Sequence, residues 1–377
     1  MHPGKIGKMN IEDTFHRIFK NKNIFITGHT GFIGTWLSLW LNILGANVTG
    51  YSLGYPTKPS LFEIISLENE INHNQGNLQD LHKVSQCLED CNPDIILHFG
   101  AQALVRKSYE EPLDTLNTNI IGTANLLESV RYCKNAKVLV NMTSDKCYDN
   151  TYSNKPHSEN DPMGGFDPYS ASKGASELIT SSYRNSFFNT QNSCKIATAR
   201  CGNVIGGGDW SDYRIIPDSI KALLKNHDIR VRNPNAIRPW QYVLESISGV
   251  LWLTTKMLES EGLDEPWNFG PSMNNTNSVS VKELVEKIIT NWNSQKNIDI
   301  EIPDDKLHES ELLILDSSKA NQRLGWKNVC SVDEALDQTV EWYKEYDKQN
   351  NKMKEFSINQ IKKYVDLARQ RDLVWTK

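Results

Sequence analysis

The chain has 377 residues, 38% hydrophobic and 23% charged, with 10 Trp, 13 Tyr and 11 Phe, enough apolar material for one large domain or two intimate ones. A formal net charge of -5 argues against a general nucleic-acid or membrane-surface binder, so any anion must be recognised by local arginines and backbone amides. Seven scattered cysteines fit reduced cytoplasmic thiols better than a disulfide framework; Cys87 and Cys91 lack the second couplet or histidines of a zinc site, and no metal is expected.

In chain order, residues 1–22 are polar and lack the apolar stretch of a signal peptide, and are expected to form a leader or short helix. Residues 23–27 are a short apolar run of strand character that ends at Gly28, and 36–44 follow as a helix. The run 32–44 is too short, and too interrupted by Gly34, Thr35, Ser38 and Asn42, to cross a membrane. Further strands are expected at 47–51, 94–98, 137–141 and 196–200, with helices near 78–90 and 117–134 and another carrying Tyr169. This alternation predicts an α/β fold, a Rossmann-type doubly wound parallel sheet over 23–202. Beyond residue 203 the glycines 206–208 and Pro217, Pro234 and Pro239 break the rhythm. A smaller C-terminal substrate-binding domain is expected over 203–345, with about 241–270 returning to the main sheet. Residues 346–377, polar and Lys-rich, are expected to be a surface helix or tail.

Thr27-Gly28-His29-Thr30-Gly31-Phe32-Ile33-Gly34 spaces three glycines as G-x-x-G-x-x-G between a strand and a helix. Such a loop turns tightly and lets a pyrophosphate approach the helix N-terminus, where free amides and the helix dipole favour anions. The second strand ends at Tyr51-Ser52-Leu53-Gly54, without the acid that usually grips the ribose hydroxyls and without an Arg for a 2′-phosphate. NAD and NADP are not distinguished there. Asn77, before Leu78, is a candidate for the adenine edge or a simple turn residue.

Thr143-Ser144-Asp145-Lys146-Cys147-Tyr148 and Tyr169-Ser170-Ala171-Ser172-Lys173 carry the chemistry. Tyr169 and Lys173 are four residues apart and share a helix face. A neighbouring ammonium, and later a cationic nicotinamide, is expected to lower the Tyr169 pKa so that it can take a proton from a sugar hydroxyl. Asp145 and Lys146 suggest proton transfers beyond simple oxidation. Tyr148 and His98 are expected to be packing and wall residues.

These residues resemble the extended short-chain dehydrogenase/reductase family. The strings 161–169, 181–188, 202–210, 236–241, 315–319 and 324–326 narrow the resemblance to nucleotide-sugar 4,6-dehydratases of the CDP-glucose branch, over roughly residues 23 to 345. Gln102 and Arg106 also fit that branch, whereas Ile33 stands where the family more often has Lys. The resemblance implies NAD, used as oxidant and then reductant: oxidation at C4, loss of water across C5 and C6, and reduction at C6. The product would be a CDP-4-keto-6-deoxy-glucose, a precursor of deoxy sugars.

The resemblance also implies roles. Ser144 would bond the C4 oxygen, and Asp145 would be the general acid for the C6 hydroxyl. Lys146 stands where dTDP-glucose enzymes carry Glu, so it either is neutralised by burial or stabilises an enolate; a structural salt bridge with Asp145 is the alternative. Lys173 would hold the nicotinamide ribose. Gly100, Ala101, Gln102, Asn119 and Thr143 complete the expected cofactor site. Arg106, Asn203, Arg214, Arg232 and Arg238 form the expected nucleotide-sugar site, since Arg neutralises a diphosphate with bidentate geometry. A homodimer through the helices near 117–134 and 169–187 is implied as well. The competing readings are a nucleotide-sugar 4-epimerase or reductase, which does not need Asp145 and Lys146, and a non-catalytic dinucleotide sensor.

Overall fold

The computed structural model describes residues 10–149, 155–191, 193–271, 278–301, 313–349 and 351–377. Seven strands form the main sheet: β1 (Asn23–Thr27), β2 (Asn47–Ser52), β3 (Asn72–Gln75), β4 (Ile95–His98), β5 (Val138–Met142), β6 (Lys195–Arg200) and β7 (Pro266–Asn268). All are parallel, in the order 7-6-5-4-1-2-3. The winding reverses between β1 and β4, and in such sheets ligands bind at the carboxyl ends of the strands at that point.

Ile24, Phe25 and Ile26, Ile95, Ile96 and Leu97, and Val138, Leu139 and Val140 are all buried, because helices cover both faces of the sheet. Alternate residues serve opposite layers. Ile24, Ile26, Leu97 and Val140 pack with α1 (Phe32–Ile43). Phe25, Ile96 and Leu139 pack with α2 (Leu81–Cys91) and α3 (Gly122–Val130). On that second face lies α4 (Pro168–Phe187), capped by Asp167, whose side chain accepts from the Ser170 amide. Strand β3, Asn-His-Asn-Gln, has no apolar residue and sits at the sheet edge, pairing with β2 alone. Its polarity hides it from any pattern of burial.

Beyond β6 the strands are short and paired outside the main sheet. Val204–Ile205 pairs with Gln241–Tyr242, Ile237–Pro239 with Ser278–Ser280, and Ile229–Val231 with Ile298–Ile300. Helices α5 (Ile215–Leu224), α6 (Val243–Glu259), α7 (Val281–Trp292), α8 (Val332–Asp347) and α9 (Met353–Gln370) enclose them. Helix α6 packs on α1 and β5, and β7 then joins β6.

The two chain ends are more buried than their composition suggests. Residues 1–9 of the expected leader lie outside the described residues. Ile11, Phe15 and Phe19 are buried, and Phe15 stacks on Trp375 at 5.0 Å between ring centroids and meets Trp40 edge-on at 5.6 Å. The Lys-rich C-terminal segment is not a surface tail: α9 buries Ile361, Tyr364, Val365 and Ala368. One apolar stripe at helical spacing is enough to seat it, whatever the charge on its other faces.

Candidate active site

Strand β1 leads into the glycine loop, and the three glycines differ in why they are there. Gly28 has φ +76°, and a Cβ on it would lie 2.7 Å from the backbone of Phe99 and Gly100. A Cβ on Gly34 would lie 2.0 Å from the Gly28 carbonyl oxygen, so loop and helix touch there. Gly31, just before α1, would meet only the Gly28 oxygen at 3.3 Å. Internal packing therefore accounts for Gly28 and Gly34. Gly31 keeps open a cradle that a side chain would fill, beside the free amides of the first turn of α1.

The loop borders a cleft of about 1010 Å³ along the carboxyl ends of the central strands. Thr30, Gly31, Phe32, Ile33, Asn77, Leu78, Gly100, Ala101, Gln102 and Thr143, all expected at a cofactor site, line it. Asn77 also caps a turn, its side-chain oxygen accepting from the Gln79 amide at 3.0 Å. Two predicted cofactor residues stand behind the wall instead. Thr27 is fully buried, and its hydroxyl accepts from the amides of Phe99 and Gly100 at 3.1 and 3.0 Å. Asn119 accepts from the Gln102 amide at 2.8 Å and donates to the Gln102 carbonyl and the Ser172 hydroxyl, tying the cofactor loop to α4. Both shape the site through other residues.

Opposite the loop, the chain leaves β5 beside β6, with the Thr143 amide bonded to Ala199 and the Asp145 amide to Cys201. Ser144 caps the turn Asp145–Cys147, accepting from the Lys146 amide, and its hydroxyl donates to Asp145 Oδ1 at 2.9 Å. The Asp145 carboxyl is buried against residue 202, where a Cβ would lie 2.0 Å from Oδ2; only glycine leaves it room. Asn203 Nδ2 approaches Oδ2 at 3.5 Å. Burial pushes the Asp145 pKa up, with Lys146, Ser144 and Arg238 opposing, and the net result is above the usual carboxylate value. Lys146 is half-buried on the cleft wall; its charge acts on Asp145, although among the described residues the two form no ion pair within 4.0 Å.

Tyr169, Lys173 and Glu177 follow one another on a single face of α4, all buried. The Lys173 ammonium lies 6.0 Å from the centre of the Tyr169 ring. The expected lowering of the Tyr169 pKa is not found. Burial, with Asp145 and Asp167, pushes it up to about 12, although Ser144 and Arg214 oppose. Lys173 is itself brought down to about 8 by burial, and at 6.0 Å from the ring it does not offset the burial of the phenol.

Glu177 went unnoticed in the sequence, although its spacing from Lys173 was a signal. It receives two parallel bonds from Arg200, at 2.9 and 2.8 Å, and one from Thr198 at 2.8 Å. Burial raises its pKa, but Arg200, Thr143 and Thr198 outweigh that and hold it below the usual value. Arg200 also donates to the Tyr148 hydroxyl at 2.6 Å, and Tyr148 donates to Asn268 and stacks on His157. Tyr148 is thus a packed wall residue. His98 is packed too, but behind the wall, wedged between the hydroxyls of Thr27 and Thr123.

The predicted substrate residues Arg106, Asn203, Arg214, Arg232 and Arg238 all line the far half of the cleft. Arg214 is braced by Asp209 at 2.9 Å. Arg106 and Arg232 lie 5.2 and 5.8 Å from the ring centre of Tyr213, an exposed residue that the sequence did not single out. The cleft thus joins a glycine-walled half to an arginine-lined half, with Ser144, Asp145 and Tyr169 between them.

A family model described as GDP-mannose 4,6 dehydratase matches residues 25–339. A CDP-glucose 4,6-dehydratase of Salmonella typhimurium is 45% identical over 332 residues, covering 86% of this chain and 91% of that protein. Among solved structures, a UDP-glucose 4-epimerase of Thermotoga maritima with UDP-glucose has a TM-score of 0.75 at 21% identity, over 86% of this chain and 99% of that one. A dTDP-glucose 4,6-dehydratase of Bacillus anthracis in complex with NAD has a TM-score of 0.72 at 21% identity, over 88% and 99%. At those identities the two structures establish the fold alone.

Proposed function

The chain belongs to the nucleotide-sugar 4,6-dehydratases of the extended short-chain dehydrogenase/reductase family, and from that premise we propose that it converts CDP-glucose to CDP-4-keto-6-deoxy-glucose and water. The observation that carries this reading is the buried carboxyl of Asp145, its pKa raised by burial, beside Ser144 and Tyr169. A 4-epimerase needs the tyrosine and lysine but no acid for a leaving hydroxyl. The choice of cytidine rests on the 45% identical relative.

The cradle at Gly31 and the N-terminus of α1 suit the pyrophosphate of NAD, and Gly100–Gln102, Thr143 and Lys173 would hold its nicotinamide half. Bound there, NAD supplies the acceptor for the C4 hydride and later returns that hydride to C6. Tyr169 takes the proton of the C4 hydroxyl, with Ser144 bonding the same oxygen. The positive charge that the phenol lacks in the protein alone would come from the oxidised cofactor. Asp145 gives its proton to the C6 hydroxyl, which cannot leave as hydroxide. Lys146 faces the same space and is assigned to C5, as a neutral base or as the cation that steadies the enolate. Arg214 and Arg238, with Arg106 and Arg232 nearer Tyr213, would neutralise the diphosphate, and Asn203 would position the sugar.

On this reading residues 23–202, with 241–270, hold the dinucleotide, and 203–345 supply most of the nucleotide-sugar half. A homodimer is part of the proposal: Leu113, Ile121 and Leu178 are exposed on helices of one face, where a second copy would cover them. A cytoplasmic location accords with seven unpaired cysteines; among the described residues no helix is long and apolar enough to cross a membrane.

The test is to incubate the protein with NAD and, separately, CDP-, dTDP-, UDP- and GDP-hexoses in deuterated water and to weigh the products. Loss of water from CDP-glucose with one deuteron gained at C5 is expected. Water loss only from another nucleotide sugar would overturn the cytidine assignment, and no mass change with any of them would overturn the dehydratase.

A further inference from the structure

Behind the glycine loop, three polar side chains stand in a hydrogen-bonded line from the cleft towards the surface. Ser52, the last residue of β2, is part of the cleft wall, and its Oγ lies 2.9 Å from Nδ1 of His29. The other ring nitrogen of His29, Nε2, lies 2.6 Å from Nδ1 of His73 on β3. His29 is fully buried, whereas His73 is half-buried.

The surroundings fix this line from several sides. A Cβ on Gly50 would lie 2.3 Å from the His29 ring, so β2 must carry glycine there to let the ring lie flat beneath it. Phe62 meets His29 edge-on at 5.2 Å, and the Thr35 hydroxyl donates to the His29 carbonyl at 3.0 Å. Tyr55 stacks on His73 at 6.2 Å.

The end of the second strand is where a dinucleotide fold ordinarily places an Asp or Glu for the adenosine ribose. Here none of the lining residues at 28–34, 51–57 and 76–78 is charged. We propose that Ser52, oriented through His29 and His73, accepts a hydrogen bond from the 2′-hydroxyl of the adenosine ribose, standing in for the missing carboxylate, and selects NAD over NADP. This rests on the reading of the cleft as a dinucleotide site.

The polarity of the line decides what Ser52 offers. A 2.6 Å contact between two ring nitrogens holds one proton. On this proposal the shared proton sits on Nε2 of His29, the nitrogen that neutral imidazole favours, and His73 Nδ1 accepts it. The Nδ1 of His29 is then bare and accepts the Ser52 hydroxyl proton. Burial keeps His29 neutral, its pKa brought down to about 3, so it has no second proton to give Ser52. The Ser52 oxygen accepts from the Thr30 amide at 3.4 Å and has one lone pair left for the cleft. It thus acts as an acceptor, as a carboxylate would, without the charge. A ribose hydroxyl can donate to it. A 2′-phosphate offers only acceptors once ionised, and would lose its water in a subsite without a cation.

The experiment is equilibrium binding of NAD and of NADP to nucleotide-free protein, followed by tryptophan fluorescence, with no nucleotide sugar present. The wild type should favour NAD. Ser52→Ala should weaken NAD roughly tenfold, about the worth of one hydrogen bond, and leave NADP unchanged, so that the preference collapses. His73→Phe keeps a ring beside Tyr55 but removes the acceptor for His29, and should lower the preference together with the melting temperature, because a buried N–H is left unpaired. His73→Asn, whose amide oxygen can accept from His29, should restore it. An unchanged NAD-to-NADP ratio in both Ser52→Ala and His73→Phe would overturn the proposal, as would a wild type that binds both equally. Loss of preference in Ser52→Ala alone would remove the two histidines from it. A wild type that binds neither dinucleotide would overturn the cofactor reading and this inference with it, whereas a failed dehydration assay leaves these titrations standing.

Discussion

Replacing Asp145 by Asn should separate the two halves of the reaction, because burial already holds its carboxyl toward the neutral form and an amide of the same shape can keep the place beside Ser144 without an acidic proton. Asp145→Asn is therefore expected to fold normally and to let C4 oxidation proceed, while water loss slows by about 10² to 10⁴, the usual worth of a positioned proton donor. Rapid mixing with CDP-glucose would show reduced nicotinamide building up in the near ultraviolet. Tyr169→Phe should show no such build-up, since it blocks the first step. If both variants behaved alike, Asp145 would not act after Tyr169. These residues were legible because they stand close together in two short strings. Thr27 and Asn119 stand behind the cleft wall, a placing that sequence does not give, because a hydroxyl or amide can hold a cofactor or hold the loop that does. Ser52, His29 and His73 come from three different elements, and only the fold brings them together.

The first turn of α1 and its loop make a sharper test than the glycine count alone. Gly34→Ala forces a Cβ to within 2.0 Å of the Gly28 oxygen, and is expected to lower the melting temperature or abolish soluble expression. Gly31→Ala meets only one atom, at 3.3 Å; it should melt like the wild type without nucleotide and bind NAD far more weakly, because the methyl fills the cradle. Equal melting temperatures for the two variants would contradict that division. Helix α4 and strand β6 are locked by Arg200 and Glu177, both buried, at 2.8 Å. Arg200→Met would strand the Glu177 carboxylate, at a cost of about 3 to 5 kcal/mol that urea unfolding would measure. The central strands were legible as apolar runs because helices bury both their faces. Strand β3 was not, since an edge strand of Asn, His and Gln is held by backbone bonds to β2 and by polar side-chain contacts, neither of which leaves an apolar pattern.

Both chain ends contribute to one core with α1 and α6, which composition concealed: Phe15, Trp40, Tyr364 and Trp375 form a contiguous aromatic cluster. Next to it lies a carboxyl that no step of the reaction uses. Glu245, on α6, is fully buried; it accepts from the amide of Val329 at 2.9 Å, from that of Cys330, and from the Tyr364 hydroxyl at 3.0 Å. It therefore joins α6, the segment before α8, and α9. Burial pushes its pKa up to about 7 from an ordinary value of 4.5, against the bonds from Cys330, Val329 and Tyr364. Between those two values the unfolded chain has released a proton that the folded chain still holds, so stability falls as pH rises. The contribution is fully present below 4.5 and lost by the time pH passes 7, a change on the order of 3 kcal/mol. Glu245→Gln removes the titration while keeping an acceptor for the two amides. The urea midpoint of the variant relative to the wild type should therefore rise between about pH 5 and about pH 8. A difference that stays flat across that interval would mean Glu245 ionises at its ordinary pKa and that the three joined segments pay nothing for burying it.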